Sequence, residues 1–242
     1  MTKILKFKVE DVRFPTSKDL TGSDAIHTDP DYSATYVTAF TDDLNLKGYG
    51  IAFTIGKGND IVAECIKHFF PIFENMNLED LESDIGKLWY KCVDHSQLRW
   101  LGPEKGAVHM AVAAIFNCLW DLIAKKNKKP LWKFVSESEP EKILSWLTFK
   151  YVEDVLNPDQ ALQILKESQN KKKNRIDKIL NEGYPSYTTA AGWLGYSDEK
   201  IVKLCKKYIS MGWKHFKVKV GLDLEADVKR LELIRQTIGS DC

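Results

Sequence analysis

The sequence contains no Cys-x-x-Cys pair, and its five cysteines (65, 92, 118, 205 and 242) form no even framework. This argues against a disulfide-stapled scaffold and a thioredoxin-type redox motif. It reads as reduced thiols in an intracellular compartment, each acting as a small buried hydrophobe. An excess of one charge is also missing: 35 basic and 34 acidic residues leave a net charge of +1. No bulk field draws the chain to nucleic acid or to an anionic membrane, so neither is expected as a partner. No apolar run is read as approaching the roughly 20 residues that span a bilayer. The opening MTKILKFKVEDVRF alternates and carries Glu10 and Asp11 early. It reads as a first strand, not as a cleavable signal or an acid-poor transit peptide. Low-complexity tracts and fixed-period repeats are absent too.

What is present divides by rhythm. Residues 3–14, 32–40 and 46–56 alternate as strands do, and short turns allow a three-stranded antiparallel meander. The stretch 15–31, PTSKDLTGSDAIHTDPD, is long for a connection, and long loops in compact domains are often functional. Helices are expected over 60–70, 81–93 and 106–126. The last is apolar nearly all round and reads as a buried helix. His109, Asn117 and Asp121 interrupt it within an arc of roughly 120°, and His109 reads as a satisfied core histidine. Residues 143–152 are a strand candidate. Residues 158–182 look helical around a basic middle, SQNKKKNRIDK, which is read as a solvated face; a phosphate-binding patch is the alternative.

The last third changes pattern. YTTAAGWLG (187–195) is strand-like, and 197–212 is an amphipathic helix capped by Ser197 and ended by Gly212. HFKVKVG (215–221) alternates as a strand, and 223–239 is a second helix ended by Gly239. This β-α-β-α order implies a parallel sheet with crossover helices. Helices should then cover Phe216, Val218 and Val220, while Lys217 and Lys219 point to the other side. That side is enclosed both in a doubly wound sheet and in a closed barrel. Residues two apart on a strand lie about 6.6 Å apart on one face. Two ammonium groups at that range, partly buried, disfavour each other's protonation, which moves a lysine toward use as a base. A Lys-x-Lys on a strand is more often simply solvent-facing, so the pattern needs support from its surroundings.

Those surroundings resemble a known family. LWDLIAKKNKKPLWKF, DVRFPTS, GSDAIHTDPDYSATYV, LRWLGPEKG, GYPSYTTAAGWLGYSD and FKVKVG resemble the enolase superfamily, mandelate racemase subgroup, in its L-fuconate dehydratase branch. The resemblance covers essentially the whole chain. It implies an α+β capping domain over residues 1–135, made of an antiparallel three-stranded meander plus helices. The first βα units of a β/α (TIM-type) barrel follow over 136–242, with a helical insertion at about 157–183. It also implies dehydration of a sugar acid. A base removes the proton α to the carboxylate, Mg²⁺ stabilises the enediolate, the β-hydroxyl leaves, and a 2-keto-3-deoxy sugar acid results. By position, Lys219 would be the base. Lys217 would contact the substrate carboxylate and depress the pKa of Lys219. Gly22, Ser23, Asp24 and Tyr32 would contact the sugar. Without the resemblance, Asp24 reads as a turn former and Tyr32 as a packed strand aromatic.

The family's acidic metal ligands and catalytic histidine belong to later barrel strands, and none lies within these 242 residues. The barrel is therefore expected to be truncated and the chain catalytically incomplete by itself. Asp223, Glu225 and Asp227 suit the start of a helix better than a cation. Alternatives kept open are a non-catalytic binding or regulatory protein and a dehydratase for a related acid sugar. The resemblance implies an acid-sugar ligand, a mitochondrial location (with the cytoplasm open) and a possible homo-oligomer.

Overall fold

The computed structural model describes residues 2–102 and 105–242. Pro103 and Glu104, within the LRWLGPEKG segment, lie outside them. The chain forms two compact units. One contains residues 1–12 and 33–177, the other residues 13–32 and 178–242.

The first unit is built on a sheet ordered β1 (Ile4–Arg13), β2 (Ser33–Thr41) and β3 (Lys47–Thr54). Strands β2 and β3 pair antiparallel in register, Val37 opposite Gly50 and Thr35 opposite Ala52. Alternation decides the faces. Thr35, Val37 and Ala39 point inward, as do Gly48, Gly50 and Ala52, while Tyr49, Ile51 and Phe53 stay exposed. The small inward residues of β3 let a helix approach closely. A Cβ on Gly50 would collide with the Ala114 carbonyl oxygen and lie 2.6 Å from the Cys118 nitrogen.

The helices are α1 (Asn59–Lys67), α2 (Phe70–Phe73), α3 (Leu78–Val93), α4 (Ala107–Lys126), α5 (Leu131–Glu137), α6 (Pro140–Ser145) and α7 (Pro158–Ser168). Pro71 lies at the start of α2, and the expected single helix over 60–70 divides there. Helix α4 is the core of the unit, burying Ile115, Leu119, Leu122 and Ile123 completely. By length and composition it could cross a membrane, which corrects the reading that no apolar run approached that length. Here it packs against β3, β2, α1 and α3. His109 stacks edge-on against Trp89, and its buried Nδ1 has no hydrogen-bond partner among the described residues, so it is a packed histidine but not a satisfied one. Burial pushes the Cys92 and Cys118 thiols up to about 12, consistent with inert core residues.

One polar hub ties this unit together. The side chain of fully buried Asn59 accepts from the Thr35 hydroxyl (2.8 Å) and the Thr54 hydroxyl (3.0 Å). It donates to Asp11 at 2.5 Å. The expected strand at 143–152 is not formed. Residues 140–145 are α6, and the following backbone bonds are local, from Val152 to Phe149 and from Leu156 to Val152. Pro140 starts a helical turn, and among the described residues no strand edge pairs with this segment. The basic stretch 168–178 spans the end of α7, a 3-10 turn (Gln169–Lys171) and the start of α8 (Lys172–Glu182). Lys172 and Arg175 spend their donors on the carbonyls of Ser136 and Ser168.

In the second unit, α9 (Asp198–Ser210) and α10 (Leu224–Ile238) pack together. Ser197 caps α9 through the Lys200 amide, and Asp223 caps α10 through the Ala226 amide. Thr188 and Phe216 form a parallel bridge. The pairing is much shorter than two strands, which corrects the expected β-α-β-α sheet. The Gly192 amide donates back to the Thr189 carbonyl, so the chain turns after one bridge. Phe216 and Val218 pack with Ile201, Cys205 and Ile234 as expected, but Val220 is 51% exposed.

Candidate functional site in the second unit

The loop 14–32 holds itself by its own polar groups. Phe14 N–H donates to the Tyr32 carbonyl, and the Thr16 hydroxyl bridges the Pro30 carbonyl and the Tyr32 amide. Gly22 has φ +93°, and the Tyr32 ring lies where its Cβ would be, so only glycine fits that turn. Ser23 is buried. Its hydroxyl donates to the Leu20 carbonyl and accepts from the Gly195 amide at 2.9 Å. Those bonds fasten the loop to the GWLG segment. The Thr21 hydroxyl and the Tyr196 phenol, 2.7 Å apart, make a second fastening.

Asp24 is the pivot. One carboxylate oxygen accepts from the amides of Ile26 (3.0 Å) and His27 (2.7 Å), with the His27 imidazole 3.1 Å away. The other oxygen lies 3.6 Å from the Lys219 ammonium. That ammonium also stands 5.7 Å from the centre of the Trp193 ring, and Tyr32 meets Trp193 edge-on. Four side chains thus converge: a carboxylate, a cation, a phenol and an indole. Lys217 is exposed and its ammonium stands over Tyr187, so no enclosed space surrounds both lysines.

The backbone carrying Lys219 is itself held. Its N–H donates to the Gly192 carbonyl, and Gly192 lies against the Lys217 carbonyl with no room for a Cβ. Trp193, His27, Asp227 and Arg230 were not picked out by sequence reasoning as parts of this arrangement. No periodicity marks them; only the paired glycines of AAGWLG hint at a close approach.

The Asp24 carboxyl is held down to about 2, chiefly by the hydrogen bond from the His27 amide, against the opposing effect of burial. Its usual value is 3.8. A depressed carboxyl contributes stability above its unfolded pKa and loses it as pH falls through the folded value. The loop should therefore keep its Asp24 bonds at pH 4 and lose them toward pH 2. Amide exchange of Ile26 and His27 across an acid titration checks this. A midpoint at or above 3.8 sinks it, and Asp24→Asn should remove the step. The Tyr32 phenol is pushed up by burial, with the nearby Asp24 charge adding to it, so it stays protonated and able to donate.

A divalent cation does not fit here. Among the described residues, no group of three or more His, Cys, Asp or Glu side chains assembles. Asp223 is spent on its helix cap, and Asp227 accepts from the Gly221 amide beside Arg230.

No family model matches the sequence. Comparisons over nearly the whole of this chain do identify relatives. The chain is 47% identical over 240 residues to mitochondrial enolase superfamily member 1 from Xenopus laevis, covering 99% of this chain and 54% of that protein. L-galactonate dehydratase from Hypocrea jecorina is 44% identical over 239 residues, covering 98% and 53%. The crystal structure of human mitochondrial enolase superfamily member 1 superposes with a TM-score of 0.93 at 45% identity, over 98% of this chain and 54% of that one. Distant structures share the fold alone; among them is an L-talarate dehydratase complexed with Mg and L-glucarate, at a TM-score of 0.62 and 17% identity. Over nearly its whole length the chain is similar to proteins of the enolase superfamily. It spans about half the length of the curated relatives it matches.

Proposed function

We propose that this chain carries part of the active site of a sugar-acid dehydratase. The observation that supports the reading most is the approach of Asp24 to Lys219, 3.6 Å apart beside Trp193. Two segments far apart in sequence meet there, and both belong to the stretches on which the family resemblance rests. In this reading residues 1–135 are the capping domain and 136–242 begin a β/α barrel.

Lys219 takes the proton from the carbon next to the substrate carboxylate. The β-hydroxyl departs as water, and the resulting enol tautomerises to a 2-keto-3-deoxy acid. Lys217 holds the substrate carboxylate by charge. Asp24 and Tyr32 bond sugar hydroxyls, a carboxylate accepting and a phenol donating. Gly22 gives the turn its shape and Ser23 fixes it. L-Galactonate and L-fuconate are the substrates to test first. Mg²⁺, present in distant members of the fold, would have to be held by protein outside these 242 residues, as would a catalytic acid. The activity of the chain alone is accordingly expected to be absent. A mitochondrial location follows only from the relatives' name.

The test is lysine acylation read by mass spectrometry, with and without sugar acid at about 10 mM, above the usual KM range of roughly 1 µM to 1 mM. L-Galactonate or L-fuconate should protect Lys217 and Lys219 relative to the exposed Lys207, and acetate at equal ionic strength should not. Equal labelling in all samples overturns the reading. Protection without turnover, even after a metal-bearing partner is supplied, would make the protein a binding module.

A further inference from the structure

We propose that Asp227 and Arg230 are positioning residues that clamp both sides of Lys219. Both side chains are at least nine-tenths buried. One Asp227 oxygen accepts from the Gly221 amide at 2.6 Å, and the other lies 3.4 Å from the Arg230 guanidinium. A second nitrogen of that guanidinium reaches the Gly192 carbonyl at 3.4 Å, the same carbonyl that accepts from the Lys219 amide at 2.9 Å. The lysine thus sits between two backbone points, Gly192 and Gly221, both tied to the first turns of α10.

A buried ion pair is weak evidence for stability as such, because apolar replacement is often neutral. What the pair supplies is direction. The guanidinium is a rigid fork that can bond a carboxylate and a carbonyl together, and the carboxylate captures a turn amide that would otherwise move freely. Beyond the Thr188–Phe216 bridge, only the Lys219 amide bonds across, to the Gly192 carbonyl, among the described residues. The clamp reinforces that single bond at the position where the ammonium must be aimed.

This inference rests on the reading of Lys219 as the base, but its test does not. Amide exchange is measured on the whole 242-residue chain and on Asp227→Leu/Arg230→Met. In the unaltered protein the Gly221 amide should be protected although the residue is exposed; an unprotected Gly221 overturns the proposal without any variant. In the double variant, exchange at Gly221 and Lys219 should rise about five- to tenfold, the effect of one lost hydrogen bond. The amides of Ile201 and Cys205 in α9 should not change. Acceleration of α9 by the same factor would mean that the pair only stabilises, and would sink the proposal. The extent of Lys219 acylation at one fixed pH should also change, with Lys207 as the fixed reference. If the clamp pattern holds but sugar acids fail to protect Lys219, the positioning stands and the base assignment falls.

Discussion

Gly50→Val is expected to cost about 3 kcal/mol or more, at the upper end of overpacking effects. The inward face of β3 meets α4 backbone to backbone. A Cβ at Gly50 runs into the Ala114 carbonyl, the Cys118 nitrogen at 2.6 Å and the Cys118 Cβ at 3.0 Å. Two of those atoms are backbone and cannot swing aside as a side-chain tip would. Relief requires β3 to move off α4, which exposes Val37, Ala52, Ile115 and Leu119 together. For a chain of this size, a loss of that order lowers the melting temperature by about 6–12 °C. Ile51→Thr is the control. It sits one residue away on the outer face, 44% exposed, and should change stability by no more than about 0.5 kcal/mol. Melting curves for the two variants decide the matter. Equal, small shifts would mean that β3 and α4 are not in this close contact.

Lys219→Ala should lower kcat by about 10²–10⁴ in any preparation that converts L-galactonate or L-fuconate to a 2-keto acid, the usual range for loss of a general base. The preparation must include whatever protein supplies the metal ligands. Lys217→Ala should act mainly on KM, because an exposed ammonium that holds a carboxylate contributes binding before it contributes to proton transfer. Asp24→Asn separates two functions of one side chain. It removes the charge facing Lys219 but keeps an oxygen that can accept from Ile26 and His27. A variant lacking Lys219 that retained full turnover would end the assignment. Retained binding of the sugar acid, measured by protection of Lys217, would show that the loss lies in proton transfer and not in folding.

Much of the first unit could be read in advance because its signals are local. Alternation placed β1, β2 and β3 within a residue or two, and the apolar 106–126 segment became the buried α4. Ser197 was legible as a cap, since a cap is a contact between residues three apart, whereas Asp223 was read only as suiting the start of its helix. The 143–152 segment misled for a matching reason. Its composition suits a strand, but a strand exists only against a partner edge, and composition carries no information about partners. HFKVKVG failed in part for that reason too: alternation correctly turned Phe216 and Val218 inward, yet only a single bridge to Thr188 formed.

The sequence alone determined the inward and outward faces, the family resemblance, and which lysines and loop residues deserved suspicion. Each follows from periodicity or from unusual words in the chain. The tertiary structure alone decided that Asp24 faces Lys219, that Trp193 and Tyr32 stand beside them, and that Asp227 and Arg230 hold Gly221 and Gly192. Those contacts join residues brought together by folding. Hydrogen bonds and charge pairs depend on distance and direction in space, which no spacing along the chain can state.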